Sequence, residues 1–154
     1  MTAQPDGLTL DMKRVLRAPP ALVFRALTEP HELAKWWGPH GFTSPSVEVD
    51  LRIGGGYRIE MQPPERDAFY LSGEFREVDP PARLVYTFRW EDPDPDDQET
   101  VVTLSFRDLG GSTELVASQG TFAVERRLAL HEEGWTDALD RLQELMSSGA
   151  SVEE

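Results

Sequence analysis

The residues best suited to chemistry lie in the segment His131-Glu-Glu-Gly134-Trp135, where an imidazole, a glycine and an indole are close neighbours. Histidine can hydrogen-bond a ligand or move a proton near neutral pH. An internal helical glycine costs about 1 kcal/mol relative to alanine, so Gly134 needs a geometric reason, such as close approach of a sheet or a ligand. His131 is therefore a candidate ligand contact and a weaker candidate for catalysis. The alternative is a histidine that only packs.

Two other patterns could suggest metal ions, and neither fits. The zinc-protease helix needs a second histidine where Trp135 stands. The acidic segment, Glu91–Glu99, has six carboxylates in nine residues, but it lacks the glycine and the ligand spacing of a calcium loop, and Pro93 and Pro95 stiffen it. We expect a solvated hairpin tip there. The sequence predicts no metal site and no cofactor.

Composition excludes several classes of function. The 154 residues include no cysteine, which rules out disulfides and thiolate chemistry, and 28 acidic against 15 basic residues give a net charge of −13. This charge disfavours binding of nucleic acid or an anionic membrane surface. The sequence has no signal peptide and no apolar run long enough to span a membrane. We expect a cytoplasmic protein, monomeric or homodimeric, with no membrane insertion.

The hydrophobic periodicity predicts an α+β fold in one domain, with a strand, two short helices, a meander of six antiparallel strands and a long C-terminal helix. The predicted strands are Leu8–Leu16, Val47–Leu51, Tyr57–Met61, Leu71–Val78, Leu84–Trp90, Val101–Phe106 and Leu115–Ala117. The predicted helices run from Pro19 to before Pro30, from His31 to Trp37, and from about Val124 to Gly149.

The long helix must cover the apolar face of the sheet, since no other element is long enough. Its own apolar residues recur at steps of three and four, as expected for an amphipathic helix. The inward side chains of the sheet are rich in Tyr and Trp, whose polar tips need partners and are readily accommodated around a cavity. Simple packing beneath the helix is the alternative. The side chains expected at this interface are Tyr57, Met61, Tyr86, Phe88, Trp90, Phe106, His131 and Trp135.

Several short motifs occur in the same order as in a known family. They are Ala18-Pro-Pro-Ala-Leu-Val-Phe, Trp36-Trp37-Gly38-Pro39, Gly54-Gly-Gly-Tyr57, Asp79-Pro-Pro-Ala-Arg-Leu-Val-Tyr, Glu99-Thr-Val-Val-Thr-Leu-Ser-Phe and His131-Glu-Glu-Gly-Trp135. Together they resemble the bacterial relatives of the activator of the heat-shock-protein-90 ATPase. That family belongs to the superfamily of lipid-transfer START domains, polyketide cyclases and birch-pollen-allergen-like proteins.

The resemblance implies a helix-grip fold, in which a curved seven-stranded antiparallel sheet wraps around the long helix and two short helices close one end. It implies one domain over residues 8–147, between flexible termini at 1–7 and 148–154. It also implies a cavity between sheet and helix, with Trp36, Trp37 and Phe42 at its mouth or floor. By pattern, no carboxylate lines this cavity.

Three functions follow as hypotheses. The first is binding of a small hydrophobic or aromatic ligand, lipid-, sterol- or polyketide-like, in the cavity. The second is a chaperone-associated interaction protein, which the resemblance to the ATPase activator implies. The third is a cofactor-free cyclase- or hydrolase-like enzyme that uses His131 or a tyrosine as acid or base.

Overall fold

The computed structural model describes residues 8–148. The predicted flexible termini lie outside these residues, except that Ser148 is the last residue of a helix. The strands are β1 (Leu8–Leu16), β2 (Val47–Val49), β3 (Gly56–Met61), β4 (Phe69–Asp79), β5 (Arg83–Trp90), β6 (Thr100–Asp108) and β7 (Thr113–Phe122). The helices are α1 (Pro20–Thr28), α2 (Pro30–Trp36) and α3 (Glu125–Ser148).

The seven strands form one antiparallel sheet in the order β1-β7-β6-β5-β4-β3-β2. On β6, Val102, Leu104 and Phe106 are buried while the residues between them are partly exposed, so alternation turns one apolar face inward. Irregular pairing on β1 and β4 bends the sheet. The predicted helix-grip fold, with two short helices after the first strand, is confirmed.

α3 packs against β1 and β7 and fills the concave side of the sheet. Its residues Leu139 and Leu142 are completely buried. At the edge of the sheet, the guanidinium of Arg14 lies 2.8 Å from a carboxylate oxygen of Asp140 on α3. Within residues 8–148, every helix is too short or too polar to span a bilayer.

Arg141 joins α3 to the end of the short helix α2. Pro20 and Pro30 begin α1 and α2, where a missing N–H group costs nothing. After α2 ends, Arg141 of α3 donates hydrogen bonds to the backbone oxygens of residues 37, 38 and 39, at 3.1, 3.1 and 3.2 Å. The oxygen of residue 39 also accepts a hydrogen bond from the backbone N–H of Phe42, at 3.1 Å. The connection fixes the position of α2 relative to α3.

The structure corrects one strand boundary. β2 ends at Val49, so Leu51 lies outside the strand and is 38% exposed. The chain turns here because Arg52 pairs with Asp50, and Gly54 adopts a positive φ of 87° that favours glycine. The predicted strand around Leu115–Ala117 is part of the longer β7.

Candidate functional site

One face of α3 forms the first wall of a cavity. Counted from the first of them, the residues on this face lie three, four, seven, eight and eleven positions along the helix, as helical spacing requires. They are Arg127, Leu130, His131, Gly134, Trp135 and Ala138. The face changes from charged at the start of the helix to apolar further along, so the cavity has a polar end and an apolar end.

The sheet and the segment after α2 form the other walls. β3, β4 and β5 contribute Met61, Phe69, Tyr70, Phe88 and Trp90, and the segment after α2 contributes Trp37, Gly38, Pro39 and Phe42. The cavity has a volume of about 500 Å³ and is open to solvent at its mouth. This volume is within the range of roughly 300–1,000 Å³ that is usual for small-molecule pockets. Arg66, Asp92, Asp94 and Leu130 are exposed and mark the mouth.

The indole rings at the apolar end are held by hydrogen bonds inside the protein. Trp135 donates its N–H to the side-chain oxygen of Gln119 at 2.7 Å, and Gln119 donates in turn to the hydroxyl of Thr100 at 2.9 Å. Trp37 donates its N–H to the sulfur of Met61 at 3.2 Å. Both indoles therefore present only apolar surface to the cavity, in fixed orientations.

His131 lies midway along the α3 wall among aromatic rings. Its ring centroid is 4.8 Å from that of Phe122, 5.2 Å from that of Phe88 and 6.0 Å from that of Trp90. Burial, and then the positive charge of Arg127, lower the pKa of His131 to about 4. At neutral pH the imidazole is uncharged, and no residue from 8 to 148 hydrogen-bonds it.

Gly134 faces open space in this wall. A Cβ atom built on it would have no heavy atom within 4 Å apart from its own helix. The sheet therefore does not approach Gly134 closely, which removes one of the two geometric reasons that the sequence suggested. The other reason, room for a ligand, is consistent with its place in the cavity wall.

The acidic segment joins β5 to β6 and is largely exposed, as expected for a hairpin tip, but it also forms part of the cavity wall, which the sequence did not predict. Asp92, Asp94 and Asp97 line the cavity, so carboxylates do occur in the lining. Arg127, whose side chain is only 10% exposed, pairs with Asp94, with Asp96 at 2.8 Å and with Asp97 at 3.2 Å. The segment folds back because a buried guanidinium requires compensating charge.

These ion pairs also affect proton binding. Burial alone would lower the pKa of Arg127, but hydrogen bonds to Asp96 and Asp94 outweigh it and raise that pKa. Hydrogen bonding to Arg127 in turn lowers the pKa of Asp96. Arg127 and Asp96 therefore stay ionised over the physiological range, and the segment stays attached to α3.

Seven of the predicted site residues meet around the cavity. They are Trp37, Phe42, Met61, Phe88, Trp90, His131 and Trp135. Sequence reasoning did not single out Arg127, Phe69 or the aspartates of the acidic segment. The spacing could have indicated the first two. Arg127 precedes His131 by four residues and so shares its helix face, and Phe69 shares the strand face of Leu71. No local pattern indicates that the aspartates reach Arg127.

The structure places the other four predicted residues outside the cavity lining, in the core of residues 8–148. Trp36 donates its N–H to the backbone oxygen of Ala26 at 3.0 Å and joins α1 to α2. Phe106 packs on Phe24 of α1, with ring centroids 5.3 Å apart. Both side chains point toward the core, as expected, but they pack against α1 and not around the cavity.

The two tyrosines also belong to the core. The hydroxyl of Tyr57 donates to the backbone oxygen of Thr87 at 2.6 Å, across Gly73, where any side chain would clash with that oxygen. Tyr86 packs edge-on against Tyr57, with centroids 5.2 Å apart. Burial raises the pKa of both phenols, so they stay protonated at neutral pH. Neither is placed to act as a base in the cavity.

A cluster outside the cavity joins the segment after α2 to α3. One side-chain ligand atom each of His40, Asp137 and Asp140 lies within 4.8 Å of the others. The backbone N–H of His40 already donates to Asp137 at 3.4 Å, and Asp140 pairs with Arg14 at 2.8 Å. These contacts give the carboxylates a structural role in fixing the cavity wall.

A curved antiparallel sheet closed around one long helix, with an apolar cavity between them, defines a helix-grip protein. The family model described as "Activator of Hsp90 ATPase homolog 1-like protein" matches residues 17–147. This chain belongs to that family, as the resemblance implied. Members of this fold superfamily commonly bind hydrophobic ligands.

Solved structures agree with this assignment. A protein from Chromobacterium violaceum is 30% identical, with a TM-score of 0.81 over 90% of this chain and 96% of its own. A protein from Nitrosomonas europaea is 31% identical, with a TM-score of 0.78 over 94% and 97% of the two chains. A Silicibacter pomeroyi protein of the same family is 26% identical, with a TM-score of 0.79 over 90% and 97%. No curated protein was found to match the chain.

Proposed function

We propose that this protein binds a small hydrophobic or aromatic molecule, lipid-, sterol- or polyketide-like, between the sheet and α3. The observation that carries the proposal is a cavity of about 500 Å³ with buried walls of Trp37, Met61, Phe88 and Trp135. Protein interiors are otherwise close-packed, so apolar space of this size is a cost that a bound ligand offsets. The proposed binding needs no cofactor.

The test combines ligand recovery with a variant that fills the cavity. Native mass spectrometry of the purified protein looks for a retained molecule, and a thermal-shift panel of sterols, fatty acids and polyphenols looks for stabilisation. Gly134→Leu places a side chain in the open space of the wall, and Ala129→Leu places the same side chain on the exposed face of α3. We expect thermal shifts in the wild type and in Ala129→Leu that are absent in Gly134→Leu. No retained molecule and no shift in the wild type would reject the proposal.

The two other hypotheses remain predictions with their own tests. Family membership motivates a chaperone-associated role, which a pull-down and an ATPase assay with the host chaperone would test. The unpartnered imidazole of His131 motivates an enzymatic role, which would require turnover that His131→Ala abolishes. A cytoplasmic location and a monomeric or homodimeric state likewise remain expectations from the sequence.

A further inference from the structure

Most polar groups of the cavity wall are already satisfied by the protein. The indole N–H groups of Trp37 and Trp135 are donated to Met61 and Gln119. The guanidinium of Arg127 is shared among three aspartates. A ligand that used any of these groups would first have to break an existing contact, which removes most of the gain.

Two neighbouring groups in the wall are not satisfied in this way. Neither the imidazole of His131 nor the indole N–H of Trp90 has a hydrogen-bond partner among residues 8–148. Both side chains line the cavity and both are half-buried, with ring centroids 6.0 Å apart. Neither polar group is fully buried, so both can bond water in the free protein and remain available to bond a ligand. They form a polar position in a wall that is otherwise aromatic.

The charges around the cavity disfavour an ionic ligand. Arg66 and Asp92 lie at the exposed mouth, where water solvates them, and the charge of Arg127 is balanced by the acidic segment. An anion drawn inside would pass three aspartates and find no free cation at the apolar end. A cation at the apolar end would pay the burial cost that is the main reason for the lowered pKa of His131. Transfer of an unpaired ion into such a site is strongly unfavourable.

We infer that, if the proposed binding function holds, the ligand is an uncharged aromatic molecule with a hydroxyl group that bonds His131 and Trp90. A hydroxyl accepts a hydrogen bond from the Trp90 N–H, and it donates to or accepts from a neutral imidazole. The flat body of the ligand lies between the rings of the sheet and those of Trp37 and Trp135. His131 and Trp90 are therefore the specificity-determining residues of the cavity.

The experiment is isothermal titration calorimetry at pH 7 with four probes of one shape: naphthalene, 2-naphthol, 2-naphthoate and 2-naphthylmethylammonium. We expect 2-naphthol to bind about tenfold more tightly than naphthalene, and both ions to bind more weakly than naphthalene. Trp90→Phe and His131→Phe keep a ring and remove the polar groups, and each should reduce the ratio of naphthol to naphthalene affinity. Phe88→Leu is the control, since it should weaken both probes and leave the ratio unchanged.

The outcomes separate this inference from the function on which it rests. Equal affinity for naphthalene and 2-naphthol in the wild type, or tighter binding of either ion, would overturn the inference and leave hydrophobic binding intact. An unchanged ratio in both Trp90→Phe and His131→Phe would also overturn it. If no probe binds and the thermal-shift panel also shows nothing, the proposed function fails together with the inference.

Discussion

At the scale of single residues, His131 links the architecture of the cavity to proton binding. Its pKa is lowered from 6.5 to about 4 in the folded protein, because the ring is buried among aromatic groups and lies near Arg127. The unfolded chain therefore takes up a proton at a higher pH than the folded protein does. The stability conferred by the neutral imidazole is complete above about pH 6.5 and is lost as the pH falls toward 4.

We predict that the free energy of unfolding of the wild type falls by about 2 kcal/mol between pH 7 and pH 5. Urea denaturation at the two pH values measures it. The His131→Phe variant should lose this pH dependence of the free energy of unfolding. The His31→Asn variant, changed at an exposed position of α2, should keep it. Asp96 and Glu91 titrate at lower pH, because hydrogen bonds from Arg127 and Arg58 lower their pKa values. Equal pH dependence in His131→Phe and the wild type would contradict this account.

Gly134 gives a second residue-scale prediction, in which stability and binding change in opposite directions. Gly134→Ala adds a methyl group in open space and removes a glycine from the interior of α3. We expect the protein to gain about 0.5–1 kcal/mol of stability, while its affinity for hydrophobic probes decreases. Urea denaturation and calorimetry measure the two effects.

Thr136→Ala is the matched control, because Thr136 is on α3 outside the cavity lining and bonds only back to Glu132 of its own helix. It should leave probe affinity unchanged. If Gly134→Ala bound the probes as tightly as the wild type, this space would not belong to the ligand site.

At the scale of elements, the acidic segment and α3 form one unit through Arg127. We predict that Arg127→Met releases the segment, because three aspartates then lose their shared cation and repel one another. Amide hydrogen exchange over residues 92–98 should accelerate by roughly tenfold, the equivalent of one to two hydrogen bonds. Exchange in β6 and β7 should remain slow.

Arg126→Met is the comparison variant, since Arg126 is exposed and its ion pair within residues 8–148 is with Asp96, at 3.1 Å. Surface ion pairs contribute little to stability, so exchange in the segment should hardly change. An effect of Arg126→Met as large as that of Arg127→Met would show that general charge balance holds the segment, and not the buried arginine.

At the scale of the whole molecule, the dominant property is the net charge of −13. We predict no binding to double-stranded DNA at physiological salt, because nothing offsets repulsion between this surface and the phosphate backbone. An electrophoretic mobility-shift assay over a range of salt concentrations measures this. A shift that weakens with added salt would contradict the prediction.

Periodicity predicted the elements well because each depends on nearby residues, such as the alternation of Val102, Leu104 and Phe106. The periodicity also indicated which face of the sheet each side chain lies on. It did not indicate how far along the sheet the cavity extends. Tyr86 and Phe88 share a face of β5, yet only Phe88 reaches the cavity. The attachment of Asp96 to Arg127 depends on the tertiary fold, since the two residues are 31 positions apart.

Two of the arginines of α3, Arg127 and Arg141, lie fourteen residues apart, close to four full turns and about 21 Å of rise. Arg127 secures the acidic segment, and Arg141 secures the end of α2. Because the number of residues between the two arginines fixes their separation along the helix, α3 sets the distance between the acidic segment and the end of α2. An insertion of one residue between them would rotate one arginine by about 100° relative to the other and detach one end.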